Sequence, residues 1–180
     1  VDRDTTGGFA WVAAGGFEPS FAPLPAMAPS RLAKRQLAAA QIARDLKLTA
    51  VLDATAHLAT DPLVSTAARE MAVSAILGNG NMSQQASVAE ILGDGSQPKS
   101  LRLAVANGGA HLSAVRVCLA KALGQAPADL QLQFARALAR NRPGAKVLLG
   151  AVESGQAPAG LLLDPQVKSS FPKAAAKRMA

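Results

Sequence analysis

Apolar residues at helical spacing recur in segment after segment from residue 30 onward, and glycine, proline or asparagine ends most of these segments. The segments are roughly 10 to 16 residues long, which is the usual length of helices in globular proteins. The segment "HLSAVRVCLAKALG", for example, places Leu112, Val115, Leu119 and Leu123 on one face. Aromatic residues make up only 3% of the chain, whereas strands of a sandwich or barrel favour β-branched and aromatic side chains. The sequence therefore predicts an all-α protein.

Proline marks the start of three of these segments at a spacing that indicates paired helices. Pro62, Pro98 and Pro127 are separated by 36 residues (62 to 98) and 29 residues (98 to 127). Each interval holds two helical segments, and this is the unit length of a two-helix repeat. Stacked antiparallel hairpins, about four of them, are therefore favoured over the alternative of a compact helical bundle.

Residues with good capping chemistry precede several segments. Ser30 is the predicted N-cap of the first helix, and Asp61 that of the helix in "DPLVSTAAREMAVSAIL", with Pro62 at its first position. An apolar stripe is predicted along that helix at positions 63, 67, 71 and 75. Asn141 and Asp164 are the predicted caps of the last two helices.

The N-terminal arm, residues 1–29, has a different composition from the rest of the chain. Four prolines at this density preclude a helix, so we interpret the arm as a linker or extended segment, with "FAWVA" as a candidate strand. Its four aromatic residues either dock onto the helical body or pack against a neighbouring domain. They are Phe9, Trp11, Phe17 and Phe21. The predicted domains are the arm, 1–29, and a helical repeat domain, 30–180.

The stretch "LQLQFARALARNRPGAKVLLGAVESGQAPAGLLLDPQVKSSF" resembles a known repeat region. It is similar to the last HEAT-like repeats of planctomycete- and verrucomicrobia-type heme-binding proteins, large exported bacterial proteins often labelled membrane-bound dehydrogenases. The shared elements are a helix ending in "ALAR", a turn of small residues, "AVESG" and a following "LL". The likeness covers Leu130 to Phe171 best, extends loosely back to Asp61, and leaves the arm uncovered.

The resemblance implies a HEAT-like α-α superhelix that lies between a propeller-like dehydrogenase domain and a c-type cytochrome domain. It further implies a periplasmic or exported location, and flanking domains of a parent protein, or another protein, as partners. The chain departs from the family in having no CxxCH motif, because Cys118 is its single cysteine. Heme c is therefore expected only in a downstream domain outside this chain. The expected role is that of a structural spacer, without a cofactor or catalysis of its own.

Few residues suggest chemistry. Asp53 and His57 are spaced i, i+4, which suits a helix-surface contact better than a metal site, and His111 stands apart from them. Cys118 lies among apolar neighbours and is expected to be a buried structural thiol. The glycine pairs in "GNGN" and "GDGS" lack the P-loop pattern and are expected to end helices. We therefore predict no catalytic, cofactor-binding or metal-binding residue.

The positive charge leaves one alternative open. The formal net charge is +7 and the isoelectric point about 10.2, which suits contact with anionic partners. The possible interaction surface consists of four cations: Arg136, Arg140, Arg142 and Lys146. A smaller cluster is formed by residues 31, 34 and 35 of the first helix. The alternative function is thus a basic helical module that binds nucleic acid, although no aromatic residue interleaves with these charges to stack bases.

Two further expectations concern the context of the chain. It has no apolar run of 18 residues without charge, so no transmembrane segment is predicted. It begins at Val1 without a signal peptide, which favours a fragment or a processed product.

Overall fold

The computed structural model describes residues 29–171, and every regular element in that range is helical. The nine α-helices of this range are α1 Pro29–Asp45, α2 Leu52–Thr60, α3 Thr66–Asn79, α4 Met82–Ala89, α5 Lys99–Gly109, α6 Ser113–Leu123, α7 Ala128–Ala139, α8 Arg142–Glu153 and α9 Pro165–Ser170. Short 3-10 segments cover Thr49–Val51, Glu90–Leu92 and Ala159–Leu163. The predicted all-α class is confirmed for these residues. The candidate strand "FAWVA" lies outside them.

Two of the predicted caps have the expected geometry. The Asn141 side chain accepts a hydrogen bond from the Gly144 backbone N–H at 2.8 Å and so caps α8. The Asp164 carboxylate accepts from the backbone N–H groups of Gln166 and Val167, both at 3.0 Å, and caps α9. The first helix begins at Pro29, one residue before its predicted cap.

The start of α3 corrects a prediction. Asp61 accepts from the Leu63 backbone N–H at 2.8 Å, which closes a turn before the helix, and Ser65 is the actual N-cap. The predicted stripe is consequently right only in its second half. Ala75 is fully buried and Met71 packs against the core, but Leu63 is 92% exposed and Ala67 is exposed, whereas Ala68 and Ala72 are fully buried. Asp-Pro sequences suit a turn as well as a helix start, so the local sequence does not distinguish the two.

Helices contact mainly their near neighbours in the chain. The odd-numbered helices touch in series, α1 with α3, α3 with α5, α5 with α7 and α7 with α9. The even-numbered helices do the same from α2 to α8, and most consecutive helices join the two series. Within residues 29–171, extensive contacts link only helices that are one or two apart in chain order.

The core runs continuously along these contacts, from Ala40 in α1 to Phe171 after α9. Much of it is alanine, as at Ala40 and Ala43 of α1 and Ala72 of its main partner α3. Small side chains on both helices let the helix axes approach closely. The largest fully buried side chain is Phe134 of α7.

Two arginines are buried between the helices, and they make equivalent bonds. Arg69 in α3 donates from Nε to the Ala59 carbonyl at 3.0 Å. Arg102 in α5 donates from Nε and Nη2 to the Leu92 carbonyl at 3.0 and 2.7 Å. Each acceptor precedes its arginine by ten residues, so the same link recurs 33 positions later (69 to 102). Buried charged groups need such partners because desolvation is costly.

Candidate interaction surface

The predicted basic surface is built around the turn between α7 and α8. Asn141 fixes this turn, because its side chain caps α8 and also donates to the Ala110 carbonyl at the end of α5, at 3.3 Å. Pro143 occupies the first turn of α8, where a backbone N–H would have no partner within the helix, so its absence costs no hydrogen bond. The cations on either side of Asn141 are thereby held on ordered helix ends.

Arg136, the first of the four predicted residues, is engaged within the protein. It forms a bidentate ion pair with Asp164, with an Nε–Oδ1 distance of 3.2 Å and an Nη2–Oδ2 distance of 2.9 Å. The two side chains are only 24% and 14% exposed. The Arg136 guanidinium lowers the pKa of the Asp164 carboxyl, and the carboxylate in turn raises the pKa of Arg136. Arg136 therefore joins α7 to the cap of α9 and offers little charge to a partner.

The other three predicted cations are exposed to solvent. Arg140 contacts the side-chain oxygen of Asn107 in α5 at a distance of 3.3 Å. Arg142 and Lys146 stand one turn apart on α8, and neither makes an ion pair with any residue in the range 29–171. Their charges can meet an anionic surface at little desolvation cost. The sequence-predicted cluster is thus three accessible cations beside one structural ion pair.

A polar groove of about 440 Å³ runs between α2 and α4. Asp53, His57 and Glu90 line it, which places the predicted i, i+4 pair on its wall. Asp53 accepts from the Gln84 side chain of α4 at 2.6 Å, so its carboxylate is tied to the neighbouring helix. This groove is not predictable from the sequence, because its two carboxylates come from separate elements, Asp53 from α2 and Glu90 from the 3-10 segment after α4.

A second groove of about 450 Å³ lies between α3 and α5. Small residues of both helices border it, including Gly78 and Gly108, and His111 stands at one end. No group of three or more potential metal ligands occurs among the residues that the structure describes. Both histidines are exposed, and each borders a different groove.

Cys118 is partly buried in α6. Burial raises the pKa of its thiol above the ordinary value, which disfavours the reactive thiolate.

Within the described part of the chain, no helix combines the length and the apolar character that a bilayer crossing needs. Comparisons with family models, curated proteins and solved structures give no significant match.

Proposed function

We propose that residues 30–180 form a HEAT-like solenoid whose function is structural, holding flanking domains at a set distance and presenting surface for protein contact. The observation that carries this proposal is the contact pattern. Extensive contacts in the described range join only helices one or two apart. A stack of repeats has this property because each unit touches only its neighbours, whereas a compact bundle also brings distant helices together.

The recurrence of the buried arginine link supports the same architecture. Arg69 and Arg102 occupy the fourth position of α3 and α5, and each binds a carbonyl ten residues earlier. A 33-residue interval matches the length of a two-helix unit. The corresponding position in α7 is Gln131, so the arginine link is confined to two successive units.

The resemblance of Leu130 to Phe171 extends the proposal to a larger protein. In this reading the solenoid is the spacer between a propeller-like dehydrogenase domain and a c-type cytochrome domain of an exported, periplasmic protein. Redox chemistry and heme attachment belong to those domains. The segment contributes α7 to α9, which the Arg136–Asp164 pair links together.

Hydrogen exchange tests the solenoid. Leu148 of α8 and Leu52 of α2 are both buried, at 0% and 2% exposure, and lie at opposite ends of the helix series. Truncation of either to alanine is expected to cost about 2–5 kcal/mol. In a solenoid, Leu148→Ala accelerates amide exchange in α6 to α9 and leaves α1 to α3 unchanged, and Leu52→Ala does the reverse. Uniform acceleration in both variants would instead indicate one cooperative bundle.

The spacer role is tested by measuring distance. Lys34 of α1 and Lys146 of α8 are exposed, so cysteines at both sites accept a dye pair in a Cys118→Ser background. A rigid spacer gives one narrow energy-transfer distribution that is unchanged from low to moderate salt. A broad distribution would show that the helices do not hold a fixed distance, and the spacer role would then fail.

The alternative function is a module that binds nucleic acid. It is favoured by one observation, the exposure of Arg140, Arg142 and Lys146 around a single helix junction. Phosphate binding by these cations would be sequence-independent and salt-dependent.

A further inference from the structure

The exposed face of α1 carries apolar side chains, which we call the end stripe. It consists of Leu32, Ala39 and Ile42 of α1 and of Leu46, which directly follows the helix, at successive spacings of seven, three and four residues. Residues at these spacings lie on one side of a helix. Leu32 is 45% exposed, Ile42 51% and Leu46 66%. Arg35 lies on the same side between Leu32 and Ala39, so the continuous apolar part runs from Ala39 to Leu46. Exposed apolar side chains grouped in this way mark a contact surface.

The stripe continues into the connection to α2. Leu48 and Val51 in this connection are 39% and 40% exposed. The end stripe therefore lies where α1 and α2 begin the two helix series and have no preceding helix among the described residues to cover them. A terminal repeat needs a cover or a polar outer face.

The exposed residues of α9 at the opposite end of the helix series are mainly polar. They include Gln166, Lys168 and Ser169, while the apolar residue Val167 is fully buried. Leu163, just before α9, is exposed, but α9 itself has no row of exposed apolar side chains like that of α1.

The N-terminal arm joins the chain at this same end. It carries four of the six aromatic residues of the chain. The eight residue steps from Phe21 to Pro29 span up to about 28 Å when extended. The end stripe is about 21 Å long from Leu32 to Leu46, at the helical rise per residue. The aromatic side chains of the arm can therefore reach all of it, and the tether gives them a high effective concentration.

Charge favours the arm over a second copy of the chain. The arm holds three carboxylates, Asp2, Asp4 and Glu18, against one cation, Arg3. The N-terminal half of α1 exposes three cations, Arg31, Lys34 and Arg35, of which Arg35 lies within the end stripe. An arm on α1 brings opposite charges together, whereas two α1 helices side by side bring like charges together.

We infer that the N-terminal arm folds back on α1 and covers the end stripe with its aromatic side chains, as an intramolecular cap. The arm is then part of the folded domain, and its carboxylates face the cations at the start of α1. This inference rests on the helical stack proposed above but not on its role as a spacer.

Trp11 provides the test, because it is the only tryptophan and the chain has no tyrosine. Acrylamide quenching of its fluorescence is measured on the whole 180-residue chain, in buffer and in guanidinium chloride. A docked arm gives a quenching constant several-fold lower in buffer. The double variant Ile42→Lys, Leu46→Lys raises the constant to the denatured value while the helical circular dichroism is retained, because both side chains are already exposed.

The matched control places lysines at apolar positions of similar exposure elsewhere. Leu163 is 68% and Val117 56% exposed, so Val117→Lys, Leu163→Lys should leave the quenching of Trp11 unchanged. Three results would overturn the inference. One is equal quenching in buffer and denaturant, and another is protection that survives the Ile42→Lys, Leu46→Lys variant. The third is protection that disappears on dilution together with a dimer seen by sedimentation, which would assign the end stripe to a second copy.

Discussion

Arg69 and Arg102 are 33 positions apart, and each donates its Nε–H over 3.0 Å to a carbonyl ten residues earlier in the chain. Both arginines are buried, at 3% and 6% exposure. The guanidinium of Arg69 also donates to the side-chain oxygen of Gln97, and that of Arg102 lies 5.7 Å from the ring centroid of Phe134. Each arginine thus supplies a hydrogen-bond donor to a buried carbonyl, and the bond links that carbonyl to the helix that follows it in the chain.

Arg102→Met should destabilise the protein by about 2 kcal/mol. Methionine fills a similar volume but leaves the Leu92 carbonyl without its two donors, and an unsatisfied buried polar group costs about 1–3 kcal/mol. Loss of the cation over the Phe134 ring adds to the effect. The shift of the urea midpoint, followed by circular dichroism, measures the change.

Arg116→Met is the control for this prediction. Arg116 also donates to a backbone carbonyl, that of His111, but at an exposed site. Its replacement should change the free energy of unfolding by less than about 0.5 kcal/mol. An equal loss of stability in Arg102→Met and Arg116→Met would mean that burial of the carbonyl does not determine the size of the destabilisation.

Two glycines of α8 should respond oppositely to alanine. A Cβ at Gly144 would press against the Leu138 carbonyl oxygen and the Asn141 side chain, so Gly144→Ala should destabilise by more than about 1 kcal/mol. A Cβ at Gly150 meets open space, so Gly150→Ala should stabilise by up to about 1 kcal/mol through helix propensity. Thermal unfolding measures the stability change in each variant. A change of the same sign in both would contradict the prediction.

Stability should fall in acid. The Arg136 guanidinium lowers the pKa of Asp164, hydrogen bonds from Ser96 and Gln97 lower the pKa of Asp94 to about 2, and Lys99 lowers the pKa of Asp129. A carboxyl whose folded pKa is depressed contributes stability above its unfolded pKa and loses it as pH falls through the folded value. The urea midpoint should therefore decline from about pH 4 toward pH 2.

Asp164→Asn isolates one contribution to this decline. Asparagine retains the capping oxygen for α9 but removes the charge that pairs with Arg136. The variant should be less stable at neutral pH and should lose less stability in acid. Asp61→Asn is the matched control, because Asp61 accepts a hydrogen bond within a turn and an asparagine oxygen can do the same. An unchanged acid profile in Asp164→Asn would show that the pair contributes nothing to folding.

The spacer proposal predicts no salt-dependent binding of nucleic acid. A short labelled DNA duplex should show no change in anisotropy with the chain between about 50 and 200 mM salt. Arg140→Ala, Arg142→Ala should leave stability within about 0.5 kcal/mol, because both side chains are exposed. Micromolar binding that weakens steeply with salt, disappears in this variant and persists in Arg31→Ala, Lys34→Ala would favour the alternative function.

The helical class and most helix limits follow from local chemistry. Asn141 and Asp164 cap their helices as predicted. A short polar side chain directly before a helical segment is well placed to accept hydrogen bonds from the first backbone N–H groups of that helix. Asp61 was predicted to do the same but closes a turn, and Ser65 becomes the cap. With Ser65 as the cap, Val64 is buried in the core at 4% exposure. This burial depends on tertiary packing, which the local sequence does not show.

The candidate surface was only partly predictable. Exposure of Arg140 and Arg142 agrees with their positions at helix ends, and exposure of Lys146 with its position one turn from Arg142. The pairing of Arg136 with Asp164 was not foreseen, because it joins residues 28 positions apart whose proximity depends on how α7 and α9 pack. Burial of Arg69 and Arg102 could not be predicted for the same reason. An arginine in an amphipathic helix is ordinarily assigned to the solvent-exposed face.

The alanine-rich contact between α1 and α3 has a mechanical consequence. Alanine has no rotatable side-chain torsion, so ordering Ala40, Ala43 and Ala72 costs no rotamer entropy. The same property removes the usual means by which an interior absorbs small movements, which is to change rotamers. At these alanines a displacement of α1 cannot be absorbed by a change of rotamer, so within the contact only longer side chains, such as Arg44 against Met71, can adjust.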